Sequence, residues 1–204
     1  VKRLILDLRD NSGGLLSAAV EVASEFLEEG KLVVSIKGRN NYPERSYHSK
    51  PKGPLRSYPL VILINEGSAS ASEIVAGALG VSGRARLVGE KSYGKGSVQT
   101  VFGLEDESGL RLTTAMYYLP DGSTIHESGI IPHVTVPCDE EMEGKLRIQR
   151  FQDAFSDPEG FEKLFGFAPV RDKQFQIGLS MFSGKSLTEI QGQVEVREAL
   201  EGNP

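Results

Sequence analysis

The candidate chemistry begins with three serines in one short run, Gly67-Ser68-Ala69-Ser70-Ala71-Ser72-Glu73. The run follows the apolar, strand-like residues 59–65 and opens the helix-like residues 74–79. A hydroxyl at such a junction lies among unpaired backbone N–H groups, at the positive end of a helix dipole. Small neighbours leave room for another backbone to approach. This is one way to present a serine nucleophile with an oxyanion site beside it. The commoner use of the same residue type is a plain N-cap, and the run alone does not choose among Ser68, Ser70 and Ser72.

A serine needs a base to act as a nucleophile at neutral pH. The chain has three histidines, His48, His126 and His133, none in a distinctive motif. A lysine serves as base only where burial or cationic neighbours push its pKa down. Lys95 stands out, within Glu90-Lys91-Ser92-Tyr93-Gly94-Lys95-Gly96-Ser97-Val98-Gln99, because Gly94 and Gly96 permit an unusual turn and close approach. The competing reading is a solvated loop lysine. Two other motifs overlap the stretch and fail. Residues 89–95 fit the start of a P-loop, but Gly96 stands where its hydroxyl residue belongs and a strand-like segment follows. Ser92-Tyr93-Gly94-Lys95 fits S-x-x-K, yet the glycines make a poor helical turn and the companion motifs are missing. A second oxyanion candidate is Asn11-Ser12-Gly13-Gly14, where tandem glycines form a tight turn or free a main-chain N–H to face a substrate carbonyl.

The elements that would position these groups alternate strand and helix over residues 1–138. Strands are predicted at 4–8, 31–36, 60–64 and 85–88. Leu15, Ala19, Val22, Ala23 and Phe26 share one face of a helix over 15–27 that stops at Gly30. A second helix ends near Gly80. Strands separated by helices imply βαβ units and a largely parallel sheet, with ligands outside the carboxyl ends of its strands. Both the Asn11–Gly14 turn and the serine run lie at such ends. The polar, basic residues 39–58 read as a surface loop. Shorter β segments follow at 98–102, 110–118 and 134–136, with Pro120-Asp121-Gly122 as a turn. From Asp139 onward the chain turns helical, with candidates at 139–155, at 172–182, at 188–200 and after an N-cap at Ser156-Asp157-Pro158. The expected organisation is a core over 1–138 and a C-terminal helical extension over 139–204.

Bulk properties narrow the class. The 204 residues are 39% hydrophobic and 25% charged with a net charge of −5, which speaks against nucleic acid as the main partner. Cys138 stands alone, so no internal disulfide forms, and no clustered Cys/His suggests a metal. The chain opens at Val1 inside a strand-like run, without an apolar signal segment or a membrane-length stretch; a fragment of something longer is expected.

Five motifs in order then carry a resemblance: residues 7–15, residues 65–74, residues 89–99, Thr113-Thr114-Ala115-Met116-Tyr117-Tyr118-Leu119-Pro120-Asp121-Gly122, and Gly129-Ile130-Ile131-Pro132. Together they resemble the carboxyl-terminal processing, or tail-specific, proteases over roughly residues 2–138, with a weaker echo at 172–184. The resemblance implies an α/β fold of the Clp protease and crotonase type. It implies Ser70 as nucleophile, Lys95 as general base, Gln99 as the residue that orients Lys95, and the N–H groups of Ala71 and Gly14 as oxyanion donors, with Gly13 as the alternative. It implies no cofactor. As partners it implies protein substrates with accessible C-termini and a PDZ domain in cis, leaving a homo-oligomer or adaptor open. It implies export to a periplasm or cell envelope. His133 stands where the family commonly has Asp, a difference expected to be harmless. The function expected is a serine endopeptidase with a Ser70/Lys95 dyad. The alternatives are a catalytically silent scaffold of the same fold, a truncated inactive piece, or a crotonase-like acyl-CoA enzyme that would not need Lys95.

Overall fold

The strongest local signal in the chain, the five-residue apolar run Leu60–Ile64, forms the central strand of a four-stranded parallel sheet. In the computed structural model, which describes residues 1–39, 44–152, 156–192 and 194, the first sheet runs β1 (Leu4–Asp7), β4 (Leu60–Ile64), β5 (Arg86–Gly89) and β8 (Val134–Thr135) in that order. All three pairings are parallel. A central parallel strand is covered on both faces and therefore reads as a continuous apolar run rather than an alternation; every residue of β4 is buried.

The two faces of this sheet are filled by different parts of the chain. Leu60, Ile62, Ile64 and Leu87 meet α1 (Leu16–Ser24) and α2 (Ala71–Val81), through Ala19, Ala23, Ile74, Ala78 and Leu79. On the other face Val61, Leu63, Val88, Val134 and Val136 meet Ile177 of α5 (Lys173–Ser180), with Ile190 and Val194 beyond it. Each fully buried aliphatic side chain contributes about 1.5–3 kcal/mol, so both layers are needed to keep β4 dry.

The fold differs from the sequence reading in three places. The strand predicted at 31–36 forms as β2 (Leu32–Gly38) but does not join the parallel sheet. It belongs to a second sheet in the order β3, β2, β7, β6, pairing antiparallel with both β3 and β7. The basic segment read as a loop contributes β3 (Arg45–His48) to that sheet, an edge strand whose charged residues stay in water while Tyr47 packs on the core. Helix α1 is shorter than predicted. Ala19 and Ala23 are buried in it and Phe26 is buried just beyond, but Leu15 and Val22 of the expected apolar face are exposed.

The second sheet is completed by a long hairpin, β6 (Ser97–Gly103) and β7 (Gly109–Tyr118), which leaves directly from the Lys95 loop. Beyond the parallel sheet come α3 (Glu140–Arg150) and α4 (Pro158–Phe165), capped by Asp139 and Asp157 as the sequence pattern requires. The helix expected over 188–200 falls mostly outside the described residues.

One buried cation ties the end of β1 to α5. The Arg9 side chain is 1% exposed and donates to Asp7, Asp172 and Gln174 at 2.7–3.0 Å. Burial works against its charge, but the two carboxylates outweigh that and hold the guanidinium firmly protonated.

Candidate active site

The three serines of the run have different surroundings. Ser68 is fully buried, and its hydroxyl donates to the Leu8 carbonyl (2.8 Å) and accepts the Asn65 N–H (3.0 Å). Ser72 is buried in the first turn of α2. Ser70 alone is partly exposed, at the N-cap of α2. Its backbone sits at φ 57°, ψ −116°, a sparsely populated conformation for a residue with a Cβ that costs on the order of 1–3 kcal/mol. The surrounding bonds enforce it. Ser70 N–H donates to the Glu73 carboxylate (2.8 Å), its carbonyl accepts from Glu73 and Ile74, and Ala69 N–H donates to the Asn11 carbonyl (3.0 Å).

The Asn11–Gly14 turn lies directly against this elbow. A Cβ on Gly13 would stand 2.6 Å from the Ala69 carbonyl oxygen and 2.7 Å from the Ala71 nitrogen. Gly13 also holds φ 97°, so two requirements at one position select glycine. Its N–H is already used, donating to Asn11 Oδ1 at 2.9 Å. Among the described residues the N–H groups of Gly14 and Ala71 have no acceptor. The elbow thus carries one unpaired main-chain donor at Ala71, and the glycine turn carries another at Gly14, next in the chain to the Gly13 contact.

Glu73 joins this elbow to the lysine loop. Its side chain is 0% exposed and takes four donors. Oε1 accepts Ser92 Oγ–H (2.5 Å) and Gly94 N–H (2.7 Å), and Oε2 accepts Ser70 N–H and Lys95 N–H, both at 2.8 Å. A buried carboxylate is tolerated only when its lone pairs are satisfied in this way. Tyr93 N–H adds a further tie to the Ser68 carbonyl (3.0 Å). The loop's glycines are also explained by contact: a Cβ on Gly96 would stand 2.3 Å from the His126 nitrogen, and Gly94 carries φ 92°.

The structure brings Gly13 against Ser70 and Ala71, with Gly14 next in the chain, where an added Cβ would touch neither residue. It anchors the backbone of Lys95 to the same carboxylate oxygen as Ser70. It does not bring the Lys95 amine onto the Ser70 hydroxyl. The Lys95 side chain is exposed and makes no hydrogen bond or ion pair among the described residues. Gln99 is exposed on β6 and makes no side-chain bond to Lys95. The histidines lie elsewhere in the hydrogen-bond network. His48 is exposed at the end of β3, and His126 has a buried Nδ1 without a partner. His133 accepts the Leu87 N–H on Nδ1 (2.9 Å). Burial, helped by Arg86, lowers the His133 pKa and keeps that nitrogen free to accept. An Asp at this position could make the same acceptor bond to Leu87 N–H.

Two residues behind the site went unnoticed in the sequence. Glu73 follows Ser70 by three, the capping-box spacing, so a signal was present. Asn65 is 1% exposed, and its Oδ1 accepts from both Asp10 N–H (2.9 Å) and Gly67 N–H (3.1 Å). No pattern marks it beyond its place at the end of β4. Among the described residues no three His, Cys, Asp or Glu side chains gather in a metal-binding group.

A family model described as "Peptidase family S41" matches residues 1–136, the stretch that holds both loops, the lysine turn and the whole parallel sheet. The chain belongs to peptidase family S41. Among curated S41-like relatives, a carboxy-terminal-processing protease of Bartonella bacilliformis is 46% identical over 146 residues, covering 71% of this chain and 33% of the relative. The chloroplastic carboxyl-terminal-processing peptidase 1 of Arabidopsis thaliana is 42% identical over 143 residues, covering 70% and 29%. The solved structure of a photosystem II D1 C-terminal processing protease superposes with a TM-score of 0.61 at 40% identity, covering 70% of this chain and 38% of that one. A putative S41 protease from Bacteroides fragilis shares the fold at 18% identity, with a TM-score of 0.62 over 90% of this chain and 45% of its own. The chain spans about a third of the length of the curated relatives it matches.

Proposed function

We propose that this S41 chain is the catalytic part of a serine endopeptidase in which Ser70 is the nucleophile and Lys95 the general base. The observation that carries the reading is the Ser70 elbow, a strained and solvent-reachable serine with the unpaired Ala71 N–H beside it and Gly13 of the glycine turn packed against it. In the proposed cycle the neutral Lys95 amine takes the Ser70 proton as Oγ attacks the scissile carbonyl. The tetrahedral oxyanion receives the N–H groups of Ala71 and Gly14. On collapse the C–N bond breaks and the Lys95 ammonium returns the proton to the leaving amine. Water, deprotonated by the same lysine, then releases the acyl group. Gln99 orients the lysine once the hairpin and loop close on substrate.

For this cycle the Lys95 side chain has to fold over the elbow and leave water, since an exposed ammonium is no base. Substrate, or a further segment such as a PDZ domain in cis, supplies that cover in the proposal. The names of the relatives support substrates processed at their carboxyl termini, and an exported enzyme is proposed with them. Labelling of the full-length protein with a fluorophosphonate probe tests the assignment. Wild type is expected to label at Ser70 and to hydrolyse an unfolded protein substrate. Ser70→Ala is expected to lose both while melting at the wild-type temperature. Hydrolysis by Ser70→Ala at the wild-type rate would remove Ser70 from the mechanism. Wild type that never labels would favour a silent scaffold, the reading to which the exposed Lys95 lends support.

A further inference from the structure

Residues beyond the family-matched stretch reach back to both loops of the site. Helix α3 starts four residues after that stretch ends at residue 136, yet three of its side chains close a polar ring around Asp10 and Asn65. Arg150 donates to Asp10 Oδ2 at 2.6 Å, and Arg147 donates to Asp10 Oδ1 at 3.1 Å. Asn65 Nδ2 donates to Asp10 Oδ1 (3.3 Å) and to Glu143 Oε1 (3.2 Å). Glu143 in turn accepts from Arg150. Asp10, Asn65, Glu143 and Arg150 each touch two others and so close the ring, while Arg147 joins it through Asp10 alone.

The two residues gripped here sit at the hinges of the site. Asp10 begins the turn that delivers Gly13 and Gly14, and it holds φ 56°, a left-handed conformation that Asp adopts more readily than most residues with a Cβ. Asn65 begins the turn that delivers Ser70, and its carbonyl oxygen Oδ1 bonds both Asp10 N–H and Gly67 N–H. The loops also meet directly at Asn11 and Ala69. Fixing the separation of Asp10 and Asn65 thus fixes the separation of the Gly14 and Ala71 N–H groups. Arg150 is well placed to do this, because its side chain is 17% exposed while Arg147 is 56% exposed.

We propose that α3 is a staple that sets the spacing of the two oxyanion donors, with Arg150 as its principal positioning residue and Arg147 as a weaker second. The proposal rests on the Ser70 reading for its catalytic consequence, but not for its structural one. Arg150 touches neither Ser70 nor either donor; it acts through Asp10 and Asn65. The Glu143 carboxylate keeps the guanidinium turned toward Asp10.

The test uses the full-length protein carrying Arg150→Met, which keeps the stem and removes the charge, and Arg150→Lys, which restores one donor. Two readouts are taken: amide hydrogen exchange, and steady-state hydrolysis of a peptide substrate. Arg150→Met is expected to speed exchange in the peptides covering residues 9–14 and 65–70, with the interior of α2 unchanged. It is expected to lower kcat between about tenfold and a hundredfold with KM nearly constant, the pattern of a displaced transition-state donor. Arg150→Lys should recover part of both. Unchanged exchange in the two loops overturns the staple. Faster exchange with unchanged kcat overturns its positioning role and leaves a merely structural contact. Should the wild-type protein show no Ser70-dependent hydrolysis, the Ser70 reading fails, and the exchange data still decide whether the staple exists.

Discussion

Two carboxylates hold two strained residues in this molecule, and they do it by opposite means. Glu73 fixes Ser70 at φ 57° from inside a dry pocket, with three main-chain N–H groups and one hydroxyl as donors, all within 22 residues of itself. Asp10, at φ 56°, has its N–H held by Asn65 Oδ1 and its carboxylate held by arginine side chains 137 and 140 residues away. The first arrangement is short-range and desolvated. The second is long-range and graded in burial, with the Asp10 and Arg150 side chains 15% and 17% exposed and Arg147 56% exposed. Buried bonds to a charged group are insensitive to salt and costly to lose, whereas an exposed pair such as Arg147–Asp10 is screened and cheap to tune. The elbow is thereby built into the family core, and its alignment with the neighbouring loop is left to a helix that the core does not contain.

The sharpest way to break this contrast is Glu73→Gln. The amide keeps one accepting oxygen and turns an NH2 toward two donors, so roughly half of the network is lost and buried donors are stranded, at a cost of about 3–5 kcal/mol. A melting temperature lower by about 10 °C is expected in a chain of this size, together with loss of most peptidase activity. A fully active Glu73→Gln enzyme would mean that the buried carboxylate does not organise the site.

Gly13→Ala comes next. Its Cβ would press on the Ala69 oxygen and the Ala71 nitrogen, in a backbone conformation that alanine resists. The expected outcome is a fall in kcat of more than about tenfold with a loss of more than about 1 kcal/mol in denaturant unfolding. Activity should suffer more than stability, because the contact lies between the two donors.

Salt and acid probe the rim ion pairs alone. Raising NaCl to about 1 M shortens the screening length to about 3 Å, which weakens the exposed Arg147–Asp10 pair far more than the mostly buried Arg150–Asp10 pair. Exchange in residues 9–14 should therefore quicken only modestly while exchange around Glu73 stays constant. For Asp10, burial pushes the pKa up, but the Asn65 hydrogen bond and the Arg150 and Arg147 charges together bring it below its usual 3.8. A lowered folded-state pKa contributes stability that is present above 3.8 and lost as pH falls through the folded value. Loop protection should therefore hold at pH 5 and fail only in stronger acid. Failure near pH 6 would point to His133, whose lowered pKa places its own transition below the ordinary 6.5.

Local grammar made much of this legible in advance. The buried run of β4, the small-residue helix start and the tandem glycines each declare their geometry in consecutive residues, and the caps of α3, α4 and α5 do the same. Partnership across the chain left no such trace. The periodicity of β2 says strand, but nothing in residues 32–38 says that Tyr117 and Tyr118 of β7 will be its neighbours rather than β1 or β4. The β3 edge strand is polar because it faces water, and polarity in a basic segment looks like a loop. Glu73 was readable from its spacing to Ser70. The Asp10–Arg150 pair was not, since two charged residues 140 positions apart become partners only once the sheet and α3 have been assembled.

That separation has a consequence for timing. A chain made from its N-terminus at about 5–20 residues per second has Ser70, Gly14 and Lys95 in hand long before Arg150 is added. Asp172, the partner of Arg9, comes later still. For roughly 3–11 s, a nascent chain therefore carries every side chain of the proposed chemistry without the ring that aligns it. In the proposed peptidase, an alignment that waits on later residues would delay the chemistry until α3 has been made.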